Sequence, residues 1–372
     1  MTHRRALTAG LLLALAVGAW SWQPAAHVAA LPASLSDAEF WSLVETFSEP
    51  GGTFHSDNFV SNEGRYQVVI PELVGRVAPG GLYLGVGPEQ NFTYMAAVRP
   101  KMAFILDIRR GNLQEHLLYK ALFELSADRA EFVSRLFSRA RPAGLTTAST
   151  PDALFAAFGA VPASEELYRT NLKSVLTHLT TRHRFRLREE DTAGIDYIYR
   201  NAFLVEGPSI GYALTGRGRI GNTPSYAELM SMTDGAGRQR SYLATEAHFL
   251  FLKDLETRNL VVPVVGNFGG SKALRAIGRY VRDHGATVSV FYVSNVEQYL
   301  RQDGLWGTFC ENVKSMPLDA SSTFIRSARG GGRGVIAPAP GGPGMFTTDL
   351  AQIQADTRTC AAGPAARPLA SR

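Results

Sequence analysis

Cysteine is scarce in this chain: two, Cys310 and Cys360, in 372 residues. No CxxC and no Cys/His cluster accompanies them, so nothing in the spacing suggests a metal site. Blocks of lysine and arginine are missing as well. The formal net charge of +5 falls by two, to +3, without the first thirty residues, whose only fully charged side chains are Arg4 and Arg5. An excess that small and scattered does not mark a nucleic-acid binder. The chain also lacks a G-x-S-x-G elbow and an obvious Ser/His/Asp set, which removes the common hydrolase reading. No internal repeat is evident.

Long apolar runs are absent too. Ala6 to Trp20 falls short of the about 20 residues that a spanning helix needs. It reads instead as the core of an export signal, with His3-Arg4-Arg5 before it and small residues up to Ala30 after it. Val28-Ala29-Ala30 would then be the cleavage site, with the mature chain starting near Leu31 and the product periplasmic or secreted. An uncleaved N-terminal anchor is the alternative, and the only membrane contact expected. In an oxidising compartment Cys310 and Cys360 can pair, or they can stay a buried thiol and a tail thiol. Both readings stand at this stage.

What is present is ordinary globular material, 45% hydrophobic and 19% charged, enough for one large core or two modest ones. Its organising stretch is Gly81-Leu82-Tyr83-Leu84-Gly85-Val86-Gly87-Pro88-Glu89-Gln90-Asn91-Phe92. That is an apolar strand running into a glycine turn, where Gly85 and Gly87 permit a sharp bend and close ligand approach. Asn91 to Val98 should follow as a helix. Met102-Ala103-Phe104-Ile105-Leu106 then ends at Asp107, where the tip of the next parallel strand presents a carboxylate suited to ribose hydroxyls. The third glycine of a G-x-G-x-x-G is missing, with Gln90 in its place.

Around this centre the chain divides into an N-terminal helix and flap (residues 31–80), an α/β domain (81–328) and a Gly/Pro/Ala-rich tail (329–372) read as disordered. Ser36-Asp37-Ala38-Glu39 is a capping box that opens the first helix. Ser56 to Glu63 is a polar flap beside the first strand. Gln114 to Leu125 forms a helix whose His116, Tyr119, Lys120 and Glu124 face is expected to be solvated. Residues 126–196 are helical throughout and are read as an insert capping the ligand crevice. Within it, Arg182, His183, Arg184, Arg186 and Arg188 form a basic run. Tyr197-Ile198-Tyr199 and Ala202-Phe203-Leu204-Val205 read as strands, and Gly207 to Gly237 as a lid or flexible loop. Val261 to Val265, a glycine turn, a helix from Ser271 to His284 and Thr287 to Val293 make a second βαβ unit. The expected fold is therefore α/β, a Rossmann-like, doubly wound, mostly parallel sheet.

Tyr83 to Phe92, Gly266-Asn267-Phe268-Gly269, Phe291 to Leu300 and Phe324-Ile325-Arg326-Ser327 together resemble an uncharacterised bacterial protein family. In layout that family is similar to class I S-adenosylmethionine-dependent methyltransferases. The resemblance implies S-adenosylmethionine as cofactor, held by Gly85, Gly87, Glu89, Asn91 and Asp107. It places Asn267 and Phe268 as catalytic residues facing the substrate, with Ser294 and Asn295 binding it. Two other readings stay open: an exported, non-catalytic binding module for a small molecule, and a nicotinamide-dependent oxidoreductase using the same Gly-x-Gly and Asp107.

Overall fold

The computed structural model describes residues 30–215, 218–219, 223–329 and 346–360. The export signal read at the N-terminus lies outside them. Among the described residues, no helix is long and apolar enough to cross a membrane.

Among the described residues eight strands form: β1 (Leu82–Gly85), β2 (Met102–Asp107), β3 (Ala213–Leu214), β4 (Gly218–Arg219), β5 (Val261–Val265), β6 (Val288–Ser294), β7 (Thr323–Arg329) and β8 (Phe346–Gln352). β3 and β4 make a small separate hairpin; the other six form one sheet in the order β5-β2-β1-β6-β7-β8. β1, β2 and β5 are buried along their whole length. Such strands are covered on both faces, which is why they read as continuous apolar runs rather than alternating ones. All pairings from β5 to β7 are parallel, and only β8 runs antiparallel, on β7. The order reverses beside β1: the chain moves outward through β2 and β5, then returns to place β6 on the other flank of β1. That topological switch opens a crevice at the carboxyl ends of the strands. The expected α/β fold of Rossmann-like layout is the one observed.

The first helix, Asp37–Phe47, carries the complete capping box between Ser36 and Glu39. Helix Arg110–Leu125 is the spine of the helical layer and is packed between β5, the insert and helix Glu246–Thr257. Its supposedly solvated face is therefore interior, with His116, Tyr119 and Lys120 at most 2% exposed. The leucine stripe marks one covered side, and the insert and helix Glu246–Thr257 cover the other. Phe92, Tyr119, Phe123, Phe132 and Tyr242 interlock there in edge-to-face and stacked pairs, Phe123 and Phe132 at 4.6 Å.

Three further expectations are corrected. Tyr197–Tyr199 and Ala202–Val205 are not strands: helix Glu189–Ile198 runs into a π-turn, Tyr199–Leu204. Their aromatic and branched residues suggested β structure, but burial of Ile195, Ile198, Tyr199, Ala202 and Phe203 follows a helical face, and packing overrides propensity. The tail is not disordered throughout, since Phe346–Gln352 pairs with β7 and Ile353–Thr359 is helical. Cys310 and Cys360 form a disulfide, Cα to Cα 5.9 Å, that anchors this return. Finally, no residue of the 126–196 insert lines the crevice; the insert packs against Arg110–Leu125 instead.

Candidate functional site

The crevice is a cavity of about 680 Å³ built from the ends of β1, β2, β5 and β6 and roofed by residues 53–63 and the β3 hairpin. That size suits a drug-sized or cofactor-sized ligand. The roof is stitched together: Ser56 Oγ donates to the Ala213 carbonyl, and Thr215 donates to His55 O at 3.3 Å and to Asp57 Oδ1 at 3.2 Å. Phe54 and Tyr299 meet edge-to-face at 5.2 Å.

Six of the nine residues singled out from sequence reach this cavity: Gly87, Asp107, Asn267, Phe268, Ser294 and Asn295. Gly87 has φ +76, a left-handed turn that glycine adopts without strain. Asp107, at the tip of β2, is tied to Arg109: its Oδ1 accepts from the Arg109 backbone N–H at 2.8 Å and Nε at 3.1 Å, and its Oδ2 from Nη2 at 2.9 Å. Arg109 also donates to the Asp57 carbonyl and so joins the sheet edge to the roof. Asn267 Oδ1 accepts the Gly269 N–H at 2.8 Å, which leaves its NH₂ as the hydrogen-bonding end for a ligand. Phe268 is 4% exposed and packs edge-to-face on Phe291 at 5.3 Å, so it is wall and core together. Ser294 holds φ +50, a costly backbone state for a non-glycine at the end of β6.

Gly85, Glu89 and Asn91 lie behind the cavity wall. A Cβ on Gly85 would sit 1.8 Å from Asn91 Oδ1, so the missing side chain makes room for Asn91 rather than for a ligand. Asn91 Nδ2 in turn donates to the carbonyls of Val86, Gly87 and Pro88 at 2.8–3.1 Å, which braces the turn from inside. The fully buried Glu89 accepts the Ser61 N–H at 3.3 Å, and burial pushes its carboxyl up to about 8. Behind it, burial likewise raises Glu115 well above the usual range and holds His116 down at about 4.

Sequence reasoning missed Glu63 and Arg109. Glu63 is 1% exposed and lines the cavity. It accepts from Gln90 Nε2 at 2.8 Å, Tyr292 OH at 2.9 Å and Ser294 Oγ at 2.6 Å, all neutral donors. Its only sequence signal was its place in the polar Ser56 to Glu63 flap. Anion-binding positions, by contrast, are reduced. Pro88 has no N–H to offer, and the Glu49 carboxylate caps helix Ala273–Asp283, accepting from Asn267, Lys272 and Ala273 N–H groups at 2.8–3.1 Å.

Sheet order and crevice define the class, an α/β protein of Rossmann-like layout. The chain belongs to the family described as "Domain of unknown function (DUF7790)", which matches residues 58–193 and 222–352. The matched segments hold Glu63, Gly87, Asp107, Arg109, Asn267, Phe268, Ser294 and Asn295, whereas His55 and the β3 hairpin fall outside them. No curated protein matches the chain.

Proposed function

We propose that the cavity binds a small cation of the S-adenosylmethionine class and that methyl transfer from it is the protein's reaction. The observation that carries this reading is Glu63, a buried carboxylate on the cavity wall whose three partners are all neutral. A sulfonium or ammonium group would supply the missing positive charge. Asp107 and Arg109 offer a paired anion and cation to a ribose and a carboxylate, and Asn267 offers a donor. In the reaction the methyl passes to a bound nucleophile and sulfur keeps the bonding electron pair, so acceleration comes mainly from holding the two in line. A dinucleotide suits the cavity less well, since Glu49 already fills the N-terminus of helix Ala273–Asp283 and Pro88 removes one N–H from the turn after β1. This weakens the nicotinamide reading.

One observation favours a second reading, an exported module that holds its ligand without turnover. The Cys310–Cys360 disulfide fits an oxidising compartment, and S-adenosylmethionine is made in the cytosol. Calorimetric titration with S-adenosylmethionine, S-adenosylhomocysteine and NAD⁺ tests the ligand class. Tightest binding is expected for the sulfonium, and none for NAD⁺. Tighter binding of NAD⁺, or none of the three, overturns the reading.

A further inference from the structure

Away from the cavity, three elements meet at a second cluster of ionisable groups. Helix Arg110–Leu125 brings Glu124, the π-turn His178–Arg182 brings His178, and the residue after it is His183. The ligating atoms of these three residues all lie within 4.8 Å of one another. Both imidazoles reach one oxygen, Glu124 Oε2, with His178 Nε2 at 2.7 Å and His183 Nε2 at 2.7 Å. The first helix adds Asp37, whose Oδ1 stands 2.6 Å from His183 Nδ1.

That last contact decides the chemistry. A carboxylate accepts, so Asp37 fixes the His183 proton on Nδ1. Nε2 of a neutral His183 then aims its lone pair at Glu124 Oε2, lone pair against lone pair. Two ring nitrogens and an anionic oxygen converging this way call for positive charge between them, either as extra protons or as one cation. Lys120 does not fill that place, because its Nζ sits on the other oxygen, Oε1, at 2.8 Å.

The backbone is distorted to make this arrangement. Residues five apart on an α-helix point about 140° from each other. Here the His183 N–H donates to the His178 carbonyl at 3.0 Å, an i to i+5 bond. The π-turn brings the two rings together, 4.8 Å between centroids and nearly perpendicular.

We infer that Glu124, His178 and His183 bind a divalent transition-metal ion, zinc by preference, with Asp37 orienting His183 from behind. Two imidazoles and one carboxylate are a zinc donor set, and a carboxylate on the far nitrogen of a ligating histidine is its usual support. With zinc at about 2.0–2.1 Å from each atom in tetrahedral geometry the donors stand about 3.3 Å apart, so each imidazole must draw back from Glu124 Oε2 by about 0.6 Å. His178 also lines a shallow surface hollow with Thr177 and Thr181, a route by which an ion could reach it. The ion would tie the first helix and the insert to the central helix.

The test is to strip the purified protein with a chelator and titrate zinc chloride against a chromophoric competitor. One zinc per chain is expected, together with a rise in Tm on loading. The His178 side chain is 17% exposed, so His178→Ala and His178→Gln should fold, which circular dichroism checks. At least one of them should weaken zinc by about 100-fold or more and lose the Tm rise, and Asp37→Asn should weaken it by about 10- to 100-fold with stoichiometry kept. Less than one-tenth equivalent bound, or equal affinity in the parent and the folded His178 variants, overturns the site.

Discussion

Asp107 shows how a residue chosen as a ligand contact acquires a structural duty. Its carboxylate takes three hydrogen bonds from Arg109, whose side chain is 10% exposed. Asp107→Ala would therefore orphan a buried guanidinium, and breaking such a pair costs about 3–5 kcal/mol. Urea denaturation should show a loss of that order, so a ligand contact cannot be tested with this variant on the assumption that the fold is untouched. Buried carboxyls also set the pH dependence. Burial raises Glu89 and Glu256 from 4.5 to about 8. Their contribution is complete below about 4.5 and is lost as pH rises through about 8. His116, pushed down by burial from 6.5 to about 4, works the other way, its contribution present above 6.5 and lost as pH falls through about 4. Above pH 6.5 it is silent. Between pH 6.5 and 8 stability should fall, by up to about 1.4 kcal/mol per pH unit for each carboxyl, and Glu89→Gln should flatten the slope. Stability flat or rising across that window in the parent contradicts this.

Strands were legible where burial on both faces makes them continuous apolar runs: β1, β2, β5 and β6 follow the runs at Leu82, Met102, Val261 and Val288. β8 was not, because Phe346–Gln352 mixes threonine and aspartate with apolar residues and follows a Gly/Pro-rich stretch. Its order depends on pairing with β7 and on the distant Cys310–Cys360 bond. That disulfide joins helix Trp306–Lys314 to the last turn after Ile353–Thr359, across a separation of 50 residues. Cys360→Ser should cost about 2–4 kcal/mol, read as a Tm lower by several degrees, and reductant should lower the parent to match. Hydrogen exchange should speed up in 346–360 first. Unchanged exchange there would mean that the strand is held by the sheet alone.

On the scale of the whole molecule, the sheet explains which parts of the site could be read in advance. Gly87, Asp107, Asn267 and Ser294 end consecutive parallel strands, and strand ends converge on one edge whatever the loops do. Glu63 became a site residue only through the folding of the 53–63 roof over that edge, a long-range event with no local signature, whereas Arg109 follows β2 directly and takes its role from pairing with Asp107. Gly85 and Asn91 stand behind the wall, since a glycine beside a crevice serves an inward neighbour as readily as a ligand. The central claim is that Glu63 makes the cavity a receptor for a cation. It is tested most directly by the ratio of S-adenosylmethionine to S-adenosylhomocysteine affinity, two ligands that differ by a methyl and its positive charge, in the parent and in Glu63→Gln. A parent preference for the sulfonium of about tenfold or more, equivalent to about 1.4 kcal/mol or more, should collapse towards one in the variant. Equal affinities in both proteins, or a preference that survives the substitution, would contradict it.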